Sequence, residues 1–453
     1  MSFPAYPEYK DSGVVWLGGI PAHWNIKKFR YVFEESPEKI TDEVVGDMLS
    51  VSGYRGIEVK QYDDEGRRRT DEELFGYRVV RPGQLVVNTM WLNYAGLGVS
   101  EHEGHVSPAY RSYWIDPAMD KRFIHHLMRS GTYVQGYTRL LTGIRPNSLQ
   151  MGRDDLMVFP VLLPTKSEQT QIARFLDHET ARIDALIEEQ QRLIELLKEK
   201  RQAVISHAVT KGLDPTVPMK ESGVEWLGEV PAHWDVVPTN YRYAIQLGRM
   251  LNEQRAQGEH LKPYLRVFDV QWHSINTADL PVMDFPPDVQ SMYRLRHGDL
   301  LVNEGGSYVG RSAIWRGELD ECYYQKALHR LRPHSRKKDI SEFFLYVMEM
   351  ATQQGVFVAG GNQTTIDHLT AEQLRKYRFA FPPLKEQQQI AEFLSVESSK
   401  NSSTTSEAER LIGFLQERRA ALISAAVTGK IDVRGWQPPA STQAPKFEVA
   451  EAV

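Results

Sequence analysis

The sequence predicts an α+β protein, in which two α/β domains are separated by two long antiparallel coiled-coil helices related by a pseudo-two-fold internal repeat. Two observations predict this fold. Fifteen residues from Lys10 return from Lys220 with eleven identities, and 47 residues from Glu168 return from Glu386 with 22 identities and no gap. The sequence between these repeated blocks differs strongly in the two halves. A repeated frame that carries two different inserts predicts a molecule that performs one kind of task at two places.

Residues 168–208 are predicted to form the first long helix. The segment has no proline or glycine, and its apolar residues recur every three or four positions, close to a heptad. Thr165 or Ser167 is expected to cap its start, and Gly212 to end it. About 41 residues at about 1.5 Å each make a rod of roughly 60 Å. Such a rod cannot bury its apolar stripe without a partner helix.

The partner is expected to be the second copy, residues 386–426. Apolar side chains of both copies are expected to pair the helices; they are Ile183, Leu186, Leu193, Leu197, Val204, Leu411, Leu415 and Leu422. Residues 398–406, rich in serine and threonine, are a poor helix former and remove about two apolar layers. Local fraying or a loosened coiled coil is therefore expected there.

Composition limits the class of protein. The 453 residues are 41% hydrophobic and 25% charged, which is typical of a soluble globular chain of two to four domains. The single cysteine, Cys322, excludes a disulfide framework and a cysteine-based zinc site, and fits the cytoplasm. No apolar run has the length of a membrane span. Because the net charge is -5, DNA binding would need a local basic surface or a partner that shares the electrostatic work.

The regions between the repeated blocks, roughly residues 20–164 and 230–383, are expected to be mixed α/β. Each has a β-rich run after a glycine, one helix, and an apolar strand that runs into prolines. These elements are expected at residues 84–88, 121–130 and 157–164 in the first region, and at 299–303, 341–354 and 378–383 in the second. The repeated Pro-Ala-His-Trp motif, which ends at Trp24 and at Trp234, is expected to pack at each domain entry.

The sequence offers no convincing catalytic or metal-binding motif. The run from Glu304 to Gly310 is glycine-rich but lacks dinucleotide-loop spacing, and no phosphate-binding Gly-x-x-x-x-Gly-Lys-Ser/Thr loop is present. The spacing Glu58-x-Lys60 occurs in one nuclease class, but an exposed alternating strand explains it better. Two histidine pairs lack further ligands at zinc spacing; they are His102 with His105 and His125 with His126. No catalytic residue, metal ligand or cofactor of this chain is therefore predicted.

The differing inserts carry side chains that are typical of DNA recognition. Arg, Asn and Gln can pair with base edges in the major groove. Two loops at equivalent places before the terminal strands carry such residues, and an arginine triplet lies in the first insert. The candidate DNA-binding residues are Arg67, Arg68, Arg69, Arg145, Asn147, Ser148, Asn362, Gln363 and Thr364, with Tyr110, Arg111, Lys326 and His329 as weaker candidates. For each loop alone, an ordinary turn is the alternative interpretation.

Three functions from different classes compete at this point. A DNA-recognition and scaffold subunit explains the repeat and the two unequal inserts. A self-contained DNA methyltransferase or nuclease is the alternative, and it needs a cofactor or metal site that the sequence does not provide. A purely structural coiled-coil protein explains the helices but leaves two differing α/β inserts of about 150 residues each without a role.

The repeated blocks resemble those of a known family. The first reads Pro164-Thr-Lys-Ser-Glu-Gln-Thr-Gln-Ile-Ala-Arg-Phe-Leu176 and ends in Ile205-Ser-His-Ala-Val-Thr210. The second reads Pro382-Pro-Leu-Lys-Glu-Gln-Gln-Gln-Ile-Ala-Glu-Phe-Leu394 and ends in Ile423-Ser-Ala-Ala-Val-Thr428. A variable α/β domain followed by this pattern, twice in one chain, resembles the specificity subunit (HsdS) of type I restriction-modification systems. The resemblance covers residues 10–436, and the departure from it is the Ser/Thr-rich stretch 398–406.

The resemblance implies a domain organisation and a mechanism. Two target recognition domains would each read one half of a bipartite, asymmetric DNA target, and the helices would set the spacer between the half-sites. The expected domains are a first target recognition domain at 1–166, a central helix at 167–212, a second target recognition domain at 213–384, a distal helix at 385–432 and a disordered tail at 433–453.

The resemblance also implies partners. The subunit would bind double-stranded DNA and dock two methyltransferase (M) subunits and the restriction (R) subunits, without a membrane. S-adenosylmethionine, ATP and Mg²⁺ would belong to those partners, and this chain would bind no cofactor and catalyse nothing by itself.

Overall fold

A computed structural model describes residues 3–62, 69–143, 149–252, 256–357 and 368–439. The chain divides into two compact units: unit 1 comprises Met1–Gln191 and Glu409–Val453, and unit 2 comprises Arg192–Ala408. Each unit contains one of the two inserts and part of both long helices, so the units cut across the predicted domain limits. None of the helices in the described part of the chain combines the length and apolar character that a membrane span requires.

Unit 1 is built from short strands and three short helices that precede a long one. The strands are β1 Tyr9–Asp11, β2 Gly19–Pro21, β3 Asn25–Lys28, β4 Phe33–Glu35, β5 Asp47–Ser52, β6 Gly56–Val59, β7 Arg78–Val80, β8 Leu85–Asn88, β9 Leu97–Val99, β10 Gly104–Val106, β11 Tyr110–Ile115 and β12 Pro160–Leu163. The helices are α1 Lys121–Arg129, α2 Gly131–Thr138, α3 Arg153–Val158 and the long α4 Lys166–Lys211, with 3₁₀ turns at Phe29–Tyr31, Asp71–Leu74 and Leu92–Tyr94.

Two four-stranded sheets organise unit 1, in the orders β6-β5-β10-β7 and β4-β11-β8-β9. All four residues of β8 are buried, as expected for a strand covered on both faces. Gly83, at φ +85°, makes the turn before β8, and a left-handed residue of this kind favours glycine. The Asp120 side chain caps α1 by accepting hydrogen bonds from Arg122 N and Phe123 N. The core of the unit includes Phe175 at the start of α4 and Val427 near the C-terminus.

Unit 2 contains the remaining elements. Its strands are β13 Met219–Glu221, β14 Glu229–Pro231, β15 Asp235–Pro238, β16 Tyr243–Leu247, β17 Leu261–Leu265, β18 Val270–Gln271, β19 Ser274–Ile275, β20 Val282–Asp284, β21 Asp299–Asn303, β22 Ser312–Trp315, β23 Tyr323–Tyr324, β24 Leu328–Pro333 and β25 Arg378–Phe381. The helices are α5 Pro287–Tyr293, α6 Ser341–Gln353, α7 Ala371–Lys376 and the long α8 Leu384–Val427, with 3₁₀ turns at Thr239–Tyr241, Val267–Asp269 and Gly306–Tyr308.

The main sheet of unit 2 has the order β16-β24-β21-β22, and a smaller sheet has the order β20-β17-β23. The fully buried strand β21 follows Gly298, at φ +87°, as β8 follows its glycine in unit 1. Helix α6 buries ten residues from Ser341 to Ala351 against this sheet. The six predicted elements of the inserts are therefore present, except that Met157 and Val158 end helix α3 instead of beginning a strand. The expectation of one helix in each insert is wrong, because α2 and α3 in the first insert and α5 and α7 in the second are additional short helices.

The repeated Pro-Ala-His-Trp motif packs onto the first turn of a long helix in each unit. In unit 1, Trp24 is fully buried and donates to Glu168 Oε1 at 3.4 Å, while His23 Nε2 lies 2.8 Å from the same oxygen. Thr165 completes the arrangement as the predicted cap: Glu168 N donates to Thr165 Oγ1 at 3.4 Å, and Thr165 N donates to Glu168 Oε2 at 3.2 Å. Burial would raise the pKa of Glu168, but the hydrogen bonds from His23 and Thr165 outweigh it and lower that pKa.

Unit 2 repeats this packing. Trp234 Nε1 donates to Glu386 Oε1 at 3.0 Å, and His233 Nε2 lies 2.8 Å from Glu386 Oε2. The two sequence blocks that repeat, the entry motif and the Glu-Gln motif, are thus in contact with each other in each unit. The predicted packing role of Pro-Ala-His-Trp is confirmed.

Helix α8 is continuous through the Ser/Thr-rich stretch, so the expected local fraying is wrong. A hydrogen bond to the other long helix offsets the low helix propensity, since Asn401 Nδ2 donates to Leu197 O of α4 at 2.8 Å. A cavity of about 180 Å³, lined by α4 and α8 within unit 2, marks the missing apolar side chains.

The residues predicted to pair the helices differ in burial. Ile183 is buried, and Leu197, Val204, Leu415 and Leu422 are half-buried. The departures are Leu186, Leu193 and Leu411, whose side chains are exposed. Ile187 and Ile194, which neighbour two of these leucines, are buried instead. The buried stripe of α4 therefore lies one residue away from the position that the leucines predicted.

The predicted disordered tail begins too early. Val433 is buried, and the Trp436 ring lies 5.2 Å from that of Phe175 in an edge-on contact. Gln171 Nε2 donates to the carbonyl oxygens of both Val433 and Trp436. Residues 433–436 therefore belong to the core of unit 1, and residues 440–453 lie outside the described part of the chain.

Candidate nucleic-acid interface

In unit 1, the candidate interface lies where strand β8 ends beside the start of β11. Asn88 ends β8 and pairs with Tyr110 of β11. Tyr110 is half-buried, and burial raises its pKa although a hydrogen bond with the Asn88 side chain opposes this rise. Two of the predicted DNA-binding residues, Tyr110 and Arg111, therefore lie at this end of the sheet.

A compact loop connects β8 to β9 at this end, and we call residues Thr89–Gly96 the β8–β9 loop. Its exposed side chains include Trp91 and Tyr94, which are 57% and 63% exposed and lie in edge-on contact, with ring centroids 5.9 Å apart. Backbone hydrogen bonds close the loop: Gly96 N donates to Trp91 O at 2.8 Å, and Asn88 N donates to Gly96 O at 2.8 Å. The sequence interpretation missed these residues. Two aromatic residues just after a predicted buried strand were the signal for them.

A cluster of three arginines surrounds a single carboxylate in the same unit, and one of them, Arg111, lies opposite Val87 near the end of β8. Glu35 forms ion pairs with Arg78 at 3.4 Å, with Arg111 at 3.5 Å and with Arg153 at 3.3 Å. Arg78 is buried, whereas Arg153 is exposed. Guanidinium groups attract phosphate, and the exposed Asp154 and Asp155 that follow Arg153 on α3 offset part of this positive charge. Arg153 and Glu35 had no place in the sequence prediction, because only the fold brings residues 118 positions apart together.

The first predicted recognition loop begins and ends next to the β8–β9 loop. Thr142 and Gln150 exchange backbone hydrogen bonds, both at 3.0 Å, and Met151 N donates to Thr89 O at 3.1 Å. The predicted residues Arg145, Asn147 and Ser148 lie between these anchors but outside the described residues. Their flanks are thus held at the same end of the sheet as Tyr110 and Arg111.

Unit 2 has the same arrangement with different side chains. Strand β21 ends at Asn303, and Leu369 N donates to Glu304 O at 2.6 Å. Gly305 pairs with His368, so the segment that follows the second predicted loop lies against residues 304–310, which we call the β21–β22 loop. The predicted residues Asn362, Gln363 and Thr364 lie outside the described residues.

The two remaining candidates of unit 2 have different positions. Lys326 is exposed, and it is close enough to Glu304 for its charge to lower the pKa of that carboxyl, which burial raises more strongly. His329 is fully buried, so the prediction that it contacts DNA is wrong. Its Nε2 lies 2.6 Å from Leu369 O, and this contact fastens strand β24 to the segment that follows the second predicted loop. Burial lowers the pKa of His329 to about 4.

The arginine triplet is not brought to this end of the sheet by any described contact. Arg67 and Arg68 lie outside the described residues. Arg69 is exposed, and its guanidinium lies 5.6 Å from the ring centroid of Tyr77, which precedes β7 of the other sheet.

The other chemical motifs have structural positions. Glu58 lies on strand β6 and pairs with Arg55 at 3.0 Å. His126 Nε2 lies 2.9 Å from Asp177, and His105 Nδ1 lies 3.0 Å from Val45 O. Among the residues that the structure describes, no group of three or more His, Cys, Asp or Glu side chains is placed to hold a metal ion.

Comparison with known proteins gives matches of three kinds. Residues 269–411 match the family described as the type I restriction modification DNA specificity domain. The chain is 22% identical over 276 residues to the type I restriction enzyme EcoKI specificity subunit of Escherichia coli strain K12, covering 59% of this chain and 56% of that protein. The chain spans about half the length of the curated relatives it matches.

Solved structures share the fold over most of the chain. A chain from a study of complex assembly and conformational transition in a type I R-M system superposes with a TM-score of 0.62 at 17% identity, covering 90% of this chain and 98% of that one. The HsdS subunit from Thermoanaerobacter tengcongensis gives a TM-score of 0.50 at 16% identity, covering 91% and 98%. At these identities, the structural likeness shows the fold alone. The chain is therefore similar to type I restriction-modification specificity subunits, in sequence where the domain and the curated relative match and in fold over most of its length.

Proposed function

We propose that this chain is the DNA sequence-recognition and scaffold subunit of a type I restriction-modification complex. One observation supports this most strongly. In each unit, a loop after a fully buried strand is hydrogen-bonded to the anchor of a predicted recognition loop, and the side chains differ between the units. The same scaffold with different side chains is what two recognition domains for two different half-sites require.

The target is then a bipartite, asymmetric DNA sequence. Unit 1 carries exposed aromatic rings and arginines beside Asn88, whereas unit 2 carries glycines, Glu304 and Lys326 beside Asn303. Because base edges are read by the donors, acceptors and apolar groups presented to them, these two sets select different bases.

The two long helices act as the spacer of the target, paired as an antiparallel coiled coil that carries the pseudo-two-fold internal repeat. Contacts within each unit support their pairing. In unit 1, Arg419 of α8 donates to Asp184 of α4 at 2.9 Å, and in unit 2 Asn401 donates to Leu197 O at 2.8 Å. The residue numbers fall along one helix as they rise along the other, as antiparallel pairing demands. A rod of several tens of Å exceeds one turn of B-DNA, which is about 34–36 Å.

The chain works with partners and is not catalytic by itself. Methyltransferase subunits, two per complex, bind S-adenosylmethionine and modify the target, and restriction subunits add ATP- and Mg²⁺-dependent cleavage. With a net charge of -5, this chain neutralises little phosphate overall, so the M subunits share that work around the duplex.

The test is to co-express the chain with its methyltransferase subunit and to map methylated adenines in the host genome by single-molecule sequencing. We expect one bipartite motif with a fixed gap, and no methylation when this chain is omitted. Methylation without the chain, or a continuous motif without a gap, would refute the proposal.

Reciprocal variants sharpen this test, because each is the control for the other. Arg145→Ala should relax the motif in the half-site of unit 1 only, and Asn362→Ala in the half-site of unit 2 only. Loss of one bidentate base contact removes about 1–3 kcal/mol of discrimination, so the affected position should accept other bases. If either variant relaxed the base preference in both half-sites, the proposal that each unit reads its own half-site independently would be contradicted.

A further inference from the structure

We propose that the β8–β9 loop, residues Thr89–Gly96, contacts the bases of the half-site read by unit 1, and that Trp91 and Tyr94 are the contacting side chains. This inference rests on the proposed function and deepens it. It assigns base contact in unit 1 to aromatic side chains, in addition to the polar residues that the sequence pointed to.

The loop presents two large aromatic side chains without covering them. Trp91 and Tyr94 are exposed, while Leu92 between them is fully buried and anchors the loop in the core. Aromatic rings have large contact areas and few rotatable bonds, so their ordering costs little when they bind. Contact with bases is the use that fits an exposed pair of rings beside arginines.

The backbone under these rings is held in one conformation. Ala95 adopts the left-handed region at φ +54°, which a residue other than glycine rarely does without external support. Arg129 provides that support, since its guanidinium donates to Ala95 O at 3.2 Å and to Leu97 O at 2.6 Å. It also donates to Ser52 O and Gly53 O. The rings are therefore presented by a fixed loop, which lowers the entropic cost of binding.

The surrounding charge favours DNA as the occupant over a protein. Arg111 shares Glu35 with Arg153 and with the buried Arg78, and it lies opposite Val87, near the end of β8 that leads into the loop. Aromatic side chains between cationic ones match the alternation of bases and phosphates. The carbonyl of Thr89, within the loop, accepts from Met151 N beside the anchor of the first predicted recognition loop, so both elements meet the same stretch of DNA.

Unit 2 provides an internal contrast. Its β21–β22 loop has Gly305 and Gly306 where unit 1 has Met90 and Trp91, and its aromatic residue, Tyr308, is half-buried with the Arg311 guanidinium 4.7 Å from the ring centroid. The aromatic contact therefore belongs to one half-site only.

The test uses the complex of the full-length chain with its methyltransferase subunit and a fluorescent duplex that carries the mapped motif. Loss of a contact with a base of the duplex costs about 1–3 kcal/mol, so Trp91→Ala should raise Kd by about 10-fold or more. Trp91→Phe should retain most of the affinity. Base substitutions in the half-site of unit 1 should raise the Kd of the Trp91→Ala variant by a smaller factor than they raise the Kd of the wild type. Base substitutions in the other half-site should raise both Kd values by the same factor.

Tyr31→Ala is the matched control. Tyr31 is 60% exposed in the same unit, and it lies just before β4, at the end of the sheet opposite to Asn88. This variant should bind within about 2-fold of the wild type, because it removes an exposed aromatic ring from the wrong end of the sheet.

Two outcomes overturn the inference. One is an unchanged Kd for Trp91→Ala. The other is a Trp91→Ala chain that melts like the wild type but no longer forms the complex on size-exclusion chromatography, which would make the loop a protein-docking surface. If the wild-type complex methylates no bipartite motif, the proposed function fails. If it does and Trp91→Ala is unaffected, only this inference fails.

Discussion

Two histidines, the fully buried His329 and the half-buried His125, have lowered pKa values because desolvation of their charged forms outweighs the compensation that the fold provides. The Nε2–H of His329 donates to Leu369 O at 2.6 Å, and its buried Nδ1 has no hydrogen-bond partner in the described part of the chain. In unit 1, His125 Nδ1 accepts from Val99 N at 3.3 Å, and burial with the nearby Arg129 charge lowers the pKa of His125 to about 3. A second proton on either ring would bury a cation.

The pH dependence of stability follows from these values. Burial lowers the folded-state pKa of His329 to about 4, whereas the unfolded value is about 6.5, so the unfolded chain binds a proton first. The free energy of unfolding should therefore fall as the pH drops from about 6.5 to about 4, by up to ~1.4 kcal/mol per pH unit for each such histidine. His329→Gln keeps a donor for Leu369 O and removes the titration. When the free energy of unfolding is measured by denaturant titration at several pH values, its change with pH should be smaller for this variant than for the wild type.

His297→Gln is the control, because His297 is an exposed histidine of the same unit. Its free energy of unfolding should change with pH as that of the wild type does. An equal change with pH for His329→Gln and the wild type would mean that His329 does not titrate as its burial requires.

At the scale of elements, tertiary contacts stabilise helix α8 where its residues have low helix propensity. Residues 398–406 have low helix propensity, yet α8 runs unbroken from Leu384 to Val427. Asn401 bonds to the backbone of α4, and the cavity of about 180 Å³ beside it shows that packing there is incomplete. A polar residue at such a position fixes register at a cost in stability. This segment is therefore a weak point of the pair of long helices.

Replacing exposed serines in this segment should stabilise the protein. Ser402 and Ser403 are exposed on α8, and alanine has the higher helix propensity by about 0.5 kcal/mol. Ser402→Ala with Ser403→Ala should therefore raise the free energy of unfolding by about 1 kcal/mol, measured by denaturant titration. Ser402→Gly should lower it by about 0.5 kcal/mol. If glycine and alanine had the same effect, the segment would not be helical in solution.

The sequence was sufficient for the elements and insufficient for the surface of the site. Residues 168–208 contain no helix breaker and carry a regular apolar stripe, so their helix could be predicted, and the glycines before β8 and β21 marked two buried strands. The burial of His329 and the exposure of Trp91 could not be predicted, because both depend on what tertiary neighbours cover. The local sequence pattern also predicted fraying at 398–406. The hydrogen bond from Asn401 to α4, which the pattern does not show, outweighs the low helix propensity of that segment.

At the scale of the whole molecule, both long helices are shared between the units. Helix α4 gives residues 166–191 to unit 1 and 192–211 to unit 2, and α8 gives 384–408 to unit 2 and 409–427 to unit 1. At both points where the chain passes from one unit to the other, its backbone is therefore helical. Under the proposed function, the length of these helices determines the number of base pairs between the half-sites.

Lengthening both helices should change the spacer alone. One heptad inserted after Gln190, with a matching heptad after Ala408, adds about 10 Å of helix at about 1.5 Å per residue. This corresponds to about three base pairs at 3.4 Å each. Genome methylation mapping should show the same half-site bases with a longer gap. An unchanged gap in a complex that still methylates would contradict the role of the helices as a ruler.

The shared helices also have a consequence for the order of folding during synthesis. The core of unit 1 includes Val427 and Val433, and the N–H of Asp432 donates to Pro4 O at 2.7 Å, so residues 427–433 complete the core of a unit that begins near the N-terminus. Unit 2 is one uninterrupted stretch, Arg192–Ala408. Because domains fold as their chain emerges from the ribosome, unit 2 completes its core first. We therefore expect residues 1–191 to leave part of their apolar surface uncovered until the C-terminal end of α8 has been synthesised.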